Sequence, residues 1–182
     1  MANRDEKVLA DGAARLANAA ADVLRRAKAR QILLATAESC TGGLLASLLT
    51  DIEGYSGWFD RGFVVYSNEA KSQMLGIDPI EISRHGPVSR EIAVRMAEGA
   101  LANSLADVAV GITGFAGPAS RGDEEGLVHL AAASIRRTLH RAVHRAVHRE
   151  CHFGSCGRDR ARQLAVAGAL ELMQELIGPA QP

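Results

Sequence analysis

Short apolar segments, each ending in glycine or small polar residues, alternate with longer helix-forming segments along this chain. The predicted strands cover residues 31–37, 62–66, 107–113, 127–133 and 141–153. Strands that alternate with helices are typical of an α/β fold in layers around a largely parallel sheet. The last two strands predict a β-hairpin, which makes the sheet mixed. Because no linker divides the 182 residues, we expect one domain covering residues 1–182.

The helices are predicted from apolar residues at helical spacing and from residues that commonly start or stop a helix. They cover residues 6–29, 42–50, 68–75, a long segment that begins after Ser89, and 158–177. Ser89 is a suitable N-cap, and so is Ser67 or Asn68 for the helix over 68–75. Gly76 and Pro79 are expected to break the chain after that helix.

Composition excludes several classes of function. The formal net charge is zero and the chain has only one Trp, two Tyr and four Phe, so we expect no nucleic-acid partner. The polar segment 1–7 is unlike a signal peptide, and no apolar run is long enough to span a bilayer. Three cysteines, at 40, 151 and 156, do not suggest a disulfide framework. The predicted location is therefore the cytoplasm, without a membrane partner.

The segment 36–43, TAESCTGG, lies between a predicted strand and a predicted helix. Ser39 is thereby placed on a strand-to-helix turn, where a hydroxyl is exposed and can act as a nucleophile once a base removes its proton. We expect free N–H groups at the helix start to face the site and to stabilise negative charge there. The alternative is that Ser39 only caps the helix.

A second segment, YSNEAK at 66–71, offers a phenol at Tyr66 and an amine at Lys71. Either group can serve as a base for a serine if burial or a neighbouring charge adjusts its pKa. The two side chains can reach Ser39 only if the two strands are neighbours. The alternative is a surface lysine and a tyrosine at the edge of the core.

Two further segments predict contacts to a ligand. The segment 111–118, GITGFAGP, follows a strand, and its glycines allow the backbone to approach a ligand while Thr113 supplies a hydroxyl. Arg158 and Arg162 are four residues apart on a helix, so they share a face on which they could bind a phosphate. The alternatives are a tight surface loop and a solvated helix face.

His140, His144, His148 and His152 recur every fourth residue. On a strand this spacing places them on one exposed polar face, and no accompanying carboxylate pattern suggests a metal, so we predict no metal site. Cys40 is a rival nucleophile to Ser39, although a small buried residue is the interpretation that we prefer.

Together these segments resemble the CinA C-terminal domain family. The resemblance rests on residues 36–43, 66–71, 85–89 (HGPVS) and 111–118, in order and at matching spacing. It extends over nearly the whole chain, from about residue 6 to 177. It implies a three-layer α/β/α sandwich with a mixed, mostly parallel sheet.

The resemblance also implies hydrolysis of the carboxamide of nicotinamide mononucleotide to nicotinate mononucleotide and ammonia, in pyridine nucleotide recycling and without a cofactor. It implies that Ser39 is the nucleophile and that Tyr66 and Lys71 assist it, with the choice of base left open. The residues expected to bind the pyridine nucleotide are Thr41, Gly42, Asn68, Thr113, Gly114, Arg158 and Arg162.

The chain departs from the family pattern after Pro118, where residues 119–126 read ASRGDEEG and lack the usual Glu-Lys-Pro-Val-Gly stretch. The alternative function is a non-catalytic nucleotide-binding or regulatory module linked to competence or DNA damage. The sequence leaves open whether the chain forms a homo-oligomer and whether the acidic loop 123–125 closes over the site.

Overall fold

The computed structural model describes residues 4–118, 122–138 and 141–179. The helices are α1 (Arg4–Arg30), α2 (Leu44–Thr50), α3 (Asn68–Leu75), α4 (Pro79–His85), α5 (Arg90–Ala102) and α6 (Arg158–Ile177). The strands are β1 (Leu34–Glu38), β2 (Phe59–Val64), β3 (Val108–Gly114), β4 (Leu127–Thr138) and β5 (Arg141–His152). Within these residues, no helix is both long and apolar enough to cross a membrane.

The five strands form one sheet in the order β2-β1-β3-β4-β5. Strand β1 pairs in parallel with β2 and with β3, whereas β3–β4 and β4–β5 are antiparallel. The sheet is therefore mixed, as predicted, and four of its five strands run in the same direction. Because β1 lies between β2 and β3, the segments that follow these three strands meet at one edge of the sheet.

Helices cover both faces of the sheet, which confirms the three-layer fold. One face packs against α1, α2 and α6 through residues such as Leu34, Val110 and Leu170. The other face packs against α3, α4 and α5 through residues such as Ala37 and Met96. On the first of these faces, helix α1 contributes to the buried core Ala20, Val23, Leu24 and Ala27.

Two glycines bring α5 into direct contact with the backbone of its neighbours. A Cβ atom at Gly111 of β3 would lie 2.4 Å from Ala93 O, and one at Gly99 of α5 would lie 2.5 Å from Leu75 O. Both distances are far shorter than atoms tolerate, so any side chain at these positions would force the elements apart. Helix α5 is therefore packed tightly on β3 and on the end of α3.

Helix α4 was not predicted from the sequence. Gly76 ends α3 with a φ of 70°, as expected, but Pro79 begins a new helix instead of only breaking the chain. The side chain of Asp78 accepts a hydrogen bond from Ile80 N at 2.8 Å, and proline fits the first helical position because it needs no N–H there. The predicted cap of α5 is confirmed, since Ser89 Oγ accepts from Ile92 N at 3.3 Å.

Candidate active site

A cleft of about 480 Å³ opens where β1, β2 and β3 end. This volume lies within the range of roughly 300–1,000 Å³ that is usual for small-molecule sites. The lining residues come from five separate segments and include Ser39, Cys40, Tyr66, Asn68, Lys71, Pro87, Thr113, Gly114, Phe115 and Arg158. The fold therefore brings the predicted nucleophile and both predicted bases to one place.

Ser39 follows β1 directly and is held by backbone hydrogen bonds on both sides. Its N–H donates to Ile112 O at 2.9 Å, and its carbonyl accepts from Gly42 N at 3.1 Å. Gly42 and Gly43 have φ values of 60° and 90°, which turn the chain into α2. The side chain of Ser39 is 8% exposed and lines the cleft. Ser39 therefore does not cap α2, whose N-cap is Gly43.

N–H groups at the start of α2 donate to a side chain of the protein itself. Our expectation that these N–H groups are free to face the site was therefore wrong. The carboxylate of Glu38 accepts from Leu45 N at 3.1 Å and from Ala46 N at 2.8 Å. The sequence analysis missed this role. A signal was present, because alternation along β1 places Glu38 on the sheet face that α2 covers.

Lys71 is buried at the base of the cleft, with only 1% of its surface exposed. Its Nζ lies 3.4 Å from Ser39 Oγ, 3.1 Å from Val65 O and 3.5 Å from Tyr66 O. No carboxylate is among these partners. Burial lowers the pKa of the Lys71 amine below its ordinary value, because the ammonium form loses its hydration. The structure thus supplies an amine next to the Ser39 hydroxyl.

Tyr66 contributes its backbone to this arrangement rather than its phenol. Its carbonyl is the third neighbour of Lys71 Nζ, whereas its side chain is 67% exposed at the mouth of the cleft. The phenol makes no hydrogen bond to Ser39 or Lys71. A catalytic role for the Tyr66 phenol therefore stays a prediction.

Cys40 lines the cleft beside Ser39 but is a buried thiol. Burial, together with the charge of Glu38, raises its pKa to about 11, although Arg158 and Arg162 act in the opposite direction. Thiolates are the nucleophilic form of cysteine, and at neutral pH this thiol stays protonated. The geometry therefore favours Ser39 over Cys40 as the nucleophile.

The predicted glycine-rich segment lines one wall of the cleft, but two of its residues have structural tasks. Thr113 Oγ1 donates to Pro87 O at 2.7 Å, which joins the end of β3 to the turn before α5. A Cβ atom at Gly114 would lie 2.7 Å from Leu127 O and 2.7 Å from Val128 Cγ2, so this glycine is required by strand pairing. Both residues still face the cleft.

The five remaining predicted contact residues divide into two groups. Asn68 and Arg158 line the cleft, although Arg158 is exposed. Thr41, Gly42 and Arg162 lie outside its lining, under the turn that follows Ser39. There Arg162 Nη2 donates to Thr41 O at 2.7 Å. Arg158 and Arg162 therefore do not line the cleft together, and substrate contacts by all five residues remain predictions.

His148 and His152 form a network with carboxylates and with His129. This network was not predicted from the sequence. His129 is 6% exposed, and its Nδ1 lies 3.1 Å from Nε2 of His148. His152 contacts Glu124 at 2.7 Å and Glu150 at 2.9 Å. His148 is thus half-buried rather than on an exposed face. His140 lies outside the described residues, and the side chain of His144 is not described.

The predicted absence of a metal site can be compared with this network. Across residues 4–118, 122–138 and 141–179, no three His, Cys, Asp or Glu side chains are grouped so that they could bind a metal ion.

The acidic loop 123–125 is held outside the cleft lining, since Glu124 pairs with His152 and Glu125 accepts from Ser155 Oγ at 3.0 Å.

The His129–His148 pair makes stability sensitive to acid. Burial lowers the pKa of both rings. The nearby charge of Arg90 lowers the pKa of His148 further, and His152 lowers that of His129 further. The carboxylates of Glu150 and Glu91 oppose the shift at both rings. In the unfolded chain both rings bind protons below about pH 6.5, so stability falls as the pH drops from there toward the folded-state pKa values. His152 has a raised pKa through Glu124 and Glu150, and its contribution has the opposite sign.

We therefore expect the double variant His129→Gln/His148→Gln to lose less stability between pH 7 and pH 5 than the wild type. Urea unfolding midpoints at these two pH values measure the difference. The matched control is His152→Gln, which should lose more stability than the wild type over the same interval. Equal losses in all three proteins would show that the pair does not titrate in this range.

Comparison with known proteins identifies the family to which the chain is similar. The CinA C-terminal domain profile matches residues 16–177. The nicotinamide-nucleotide amidohydrolase PncC of Escherichia coli strain K12 is 45% identical over 148 residues, which are 80% of this chain and 85% of that protein.

Solved structures give the same result. The competence/damage inducible protein CihA from Agrobacterium tumefaciens superposes with a TM-score of 0.82 at 40% identity, covering 90% of this chain and 96% of that one. A CinA superfamily protein from Escherichia coli gives 0.74 at 32% identity, covering 88% and 90%. From the matched profile, these similarities and the shared fold, we conclude that this chain belongs to the CinA C-terminal domain family.

Proposed function

We propose that this protein hydrolyses the carboxamide of nicotinamide mononucleotide to nicotinate mononucleotide and ammonia. The observation that carries the proposal is the buried Lys71 amine 3.4 Å from Ser39 Oγ in an open cleft. The amidohydrolase named above, 45% identical to this chain, supports the choice of substrate. Water is the second substrate, and no cofactor is required.

The surroundings of Lys71 suit a neutral amine that accepts the serine proton. A neutral amine has two N–H bonds and one lone pair. The carbonyls of Val65 and Tyr66 can accept the two N–H bonds, which leaves the lone pair for the hydroxyl of Ser39. The 3.4 Å separation is long for a hydrogen bond, as is common in sites without substrate.

The proposed reaction has two halves. Ser39 Oγ attacks the carboxamide carbon as Lys71 takes its proton, and Lys71 then protonates the departing nitrogen so that ammonia leaves. The nicotinoyl ester on Ser39 is hydrolysed by water, which Lys71 deprotonates before it returns a proton to Ser39. Lys71 is our proposed base, while Tyr66 at the mouth is placed to contact the substrate.

Negative charge on the tetrahedral intermediate needs nearby donors. Gly42 N–H and Leu44 N–H already donate to Ser39 O and Thr41 O, and the next two donors of α2 are held by Glu38. In the described part of the chain, the N–H group of Cys40, which lines the cleft, donates to no other residue. We propose it as an oxyanion donor, since the N–H after a nucleophile often has this role.

The phosphate of the substrate is assigned to Arg158 at the open end of the cleft. We expect Arg158→Ala to raise KM about 10-fold or more with little change in kcat, because a charge-assisted hydrogen bond contributes roughly 1.5–3 kcal/mol. Steady-state kinetics give both constants. Arg160→Ala, two residues along the same helix and outside the cleft, is the control that should leave KM unchanged.

The proposed function is tested by measuring ammonia and nicotinate mononucleotide together after incubation with nicotinamide mononucleotide. We expect equal amounts of the two products, and much slower release from free nicotinamide, which lacks the phosphate. A protein that binds the nucleotide and releases no ammonia would instead fit the non-catalytic alternative. The three cysteines are free, which agrees with the reducing cytoplasm that we propose as the location.

A further inference from the structure

We propose that Glu38 is a positioning residue for the amidase reaction, holding the Ser39 turn in its reactive geometry by binding the start of α2. This inference rests on the proposed function for its rate measurement but not for its geometry. Glu38 touches neither Lys71 nor the cleft, so it would act through the backbone that it holds.

The contacts of Glu38 are those of a buried clamp. The side chain is fully buried and accepts three hydrogen bonds, from Leu45 N, from Ala46 N and, at 3.4 Å, from Thr36 Oγ1. A carboxylate is expensive to bury unless its oxygens are satisfied, and here both oxygens have donors. The carboxylate therefore connects the end of β1 to the first turn of α2 across the five residues 39–43.

Alternation along β1 explains why this clamp can set the direction of Ser39. Ala35 and Ala37 face the core formed with α5, whereas Glu38 reaches the opposite face, where α2 lies. Ser39, the next residue, points back toward Lys71 on α3. Because Glu38 is held to α2, the peptide that joins Glu38 to Ser39 is held in one orientation, and this sets the direction of the Ser39 side chain.

The clamp also determines which donors remain available. The positive end of a helix normally attracts an anion of the ligand. Here Glu38 occupies that end, so neither the substrate phosphate nor the oxyanion can bind there. The N–H group of Cys40, which lines the cleft, is left for the oxyanion, and the phosphate must bind at a separate cation.

The variant Glu38→Gln separates positioning from packing, because the amide has nearly the same volume. A glutamine has one accepting oxygen, and its NH₂ group would face one of the two N–H donors of α2. We expect kcat for ammonia release to fall about 10- to 100-fold, with KM changed less than about threefold. The control is Glu69→Gln, an exposed carboxylate on α3 outside the cleft, which should change neither constant.

A second measurement does not depend on the substrate. The rate at which a sulfonyl fluoride modifies Ser39, followed by mass spectrometry, reports the reactivity of the hydroxyl directly. We expect this rate to fall at least 10-fold in Glu38→Gln and in Glu38→Asp, which keeps the charge but shortens the reach. Circular dichroism at the assay temperature identifies any variant that is unfolded, and only folded variants are compared.

The outcomes are distinct. Slower modification of Ser39 in folded Glu38 variants supports the inference, even if the wild type proves inactive on nicotinamide mononucleotide and the proposed substrate is wrong. An unchanged modification rate in a folded Glu38 variant overturns the inference while leaving the amidase proposal intact. Failure of the wild-type Ser39 to react at all would contradict the inference, while ammonia release from nicotinamide mononucleotide tests the amidase proposal separately.

Discussion

Replacement of Ser39 by alanine is expected to reduce ammonia release from nicotinamide mononucleotide by about 10³-fold or more, because no nucleophile remains to form the ester. Binding of the nucleotide should persist, since the change removes one oxygen from a residue that is 8% exposed. Steady-state assays give the rate, and isothermal titration calorimetry gives the affinity.

Ser83→Ala is the matched control for this prediction, because Ser83 is exposed on α4 and lies outside the cleft. Its rate should equal that of the wild type. If Ser39→Ala kept most of its activity, the nucleophile would have to be another group, and Cys40, which lines the same cleft, would be the next residue to replace.

Replacement of Lys71 by methionine is expected to lower the rate of ammonia release about as strongly as Ser39→Ala does. The same replacement is expected to raise the stability of the protein. Methionine keeps much of the side-chain length but cannot accept a proton, so kcat should fall by about 10²–10⁴-fold, the usual contribution of a general base. The variant should melt at a higher temperature than the wild type, because a buried amine is exchanged for an apolar group.

The pH profile gives an independent test of this role. Only the neutral amine can accept the Ser39 proton, so kcat/KM should rise with pH through the lowered pKa of Lys71 and then level off. Tyr66→Phe should keep that limb and most of kcat if Lys71 is the base, whereas loss of the limb would assign it to the phenol. Lys28→Met, an exposed lysine on α1, should match the wild type in rate.

The alternation of strands and helices was sufficient to predict a layered α/β fold with a mixed sheet, and the family resemblance added the three layers. The convergence of Ser39 with Lys71 was predicted only on the condition that β1 and β2 are neighbours, which they are. Helices α3 and α6 have the predicted boundaries, Asn68–Leu75 and Arg158–Ile177. Helix α4 was missed because proline often breaks a helix but can also begin one, as Pro79 does here, and the sequence pattern does not distinguish these uses.

Side-chain partners were harder to predict than backbone elements. The role of Glu38 depends on which face of β1 is covered by α2, and the pairing of His129 with His148 depends on the register of β4 and β5. Arg158 and Arg162 share a helix but differ in position, because Arg158 lines the cleft whereas Arg162 donates a hydrogen bond to Thr41 O. Such distinctions follow from packing in three dimensions rather than from spacing.

The close contacts of α5 at Gly111 and Gly99 have a consequence for how this protein can change. They set the spacing between the β3 backbone, beside Ser39, and the end of α3, which carries Lys71, by main-chain contact alone. Apolar side chains elsewhere can therefore be exchanged, with changes in thermostability, while the distance between Ser39 and Lys71 stays the same. In a mutational library, most core substitutions should change stability without changing turnover, whereas substitutions at these two glycines, which lie outside the cleft lining, should lower both together.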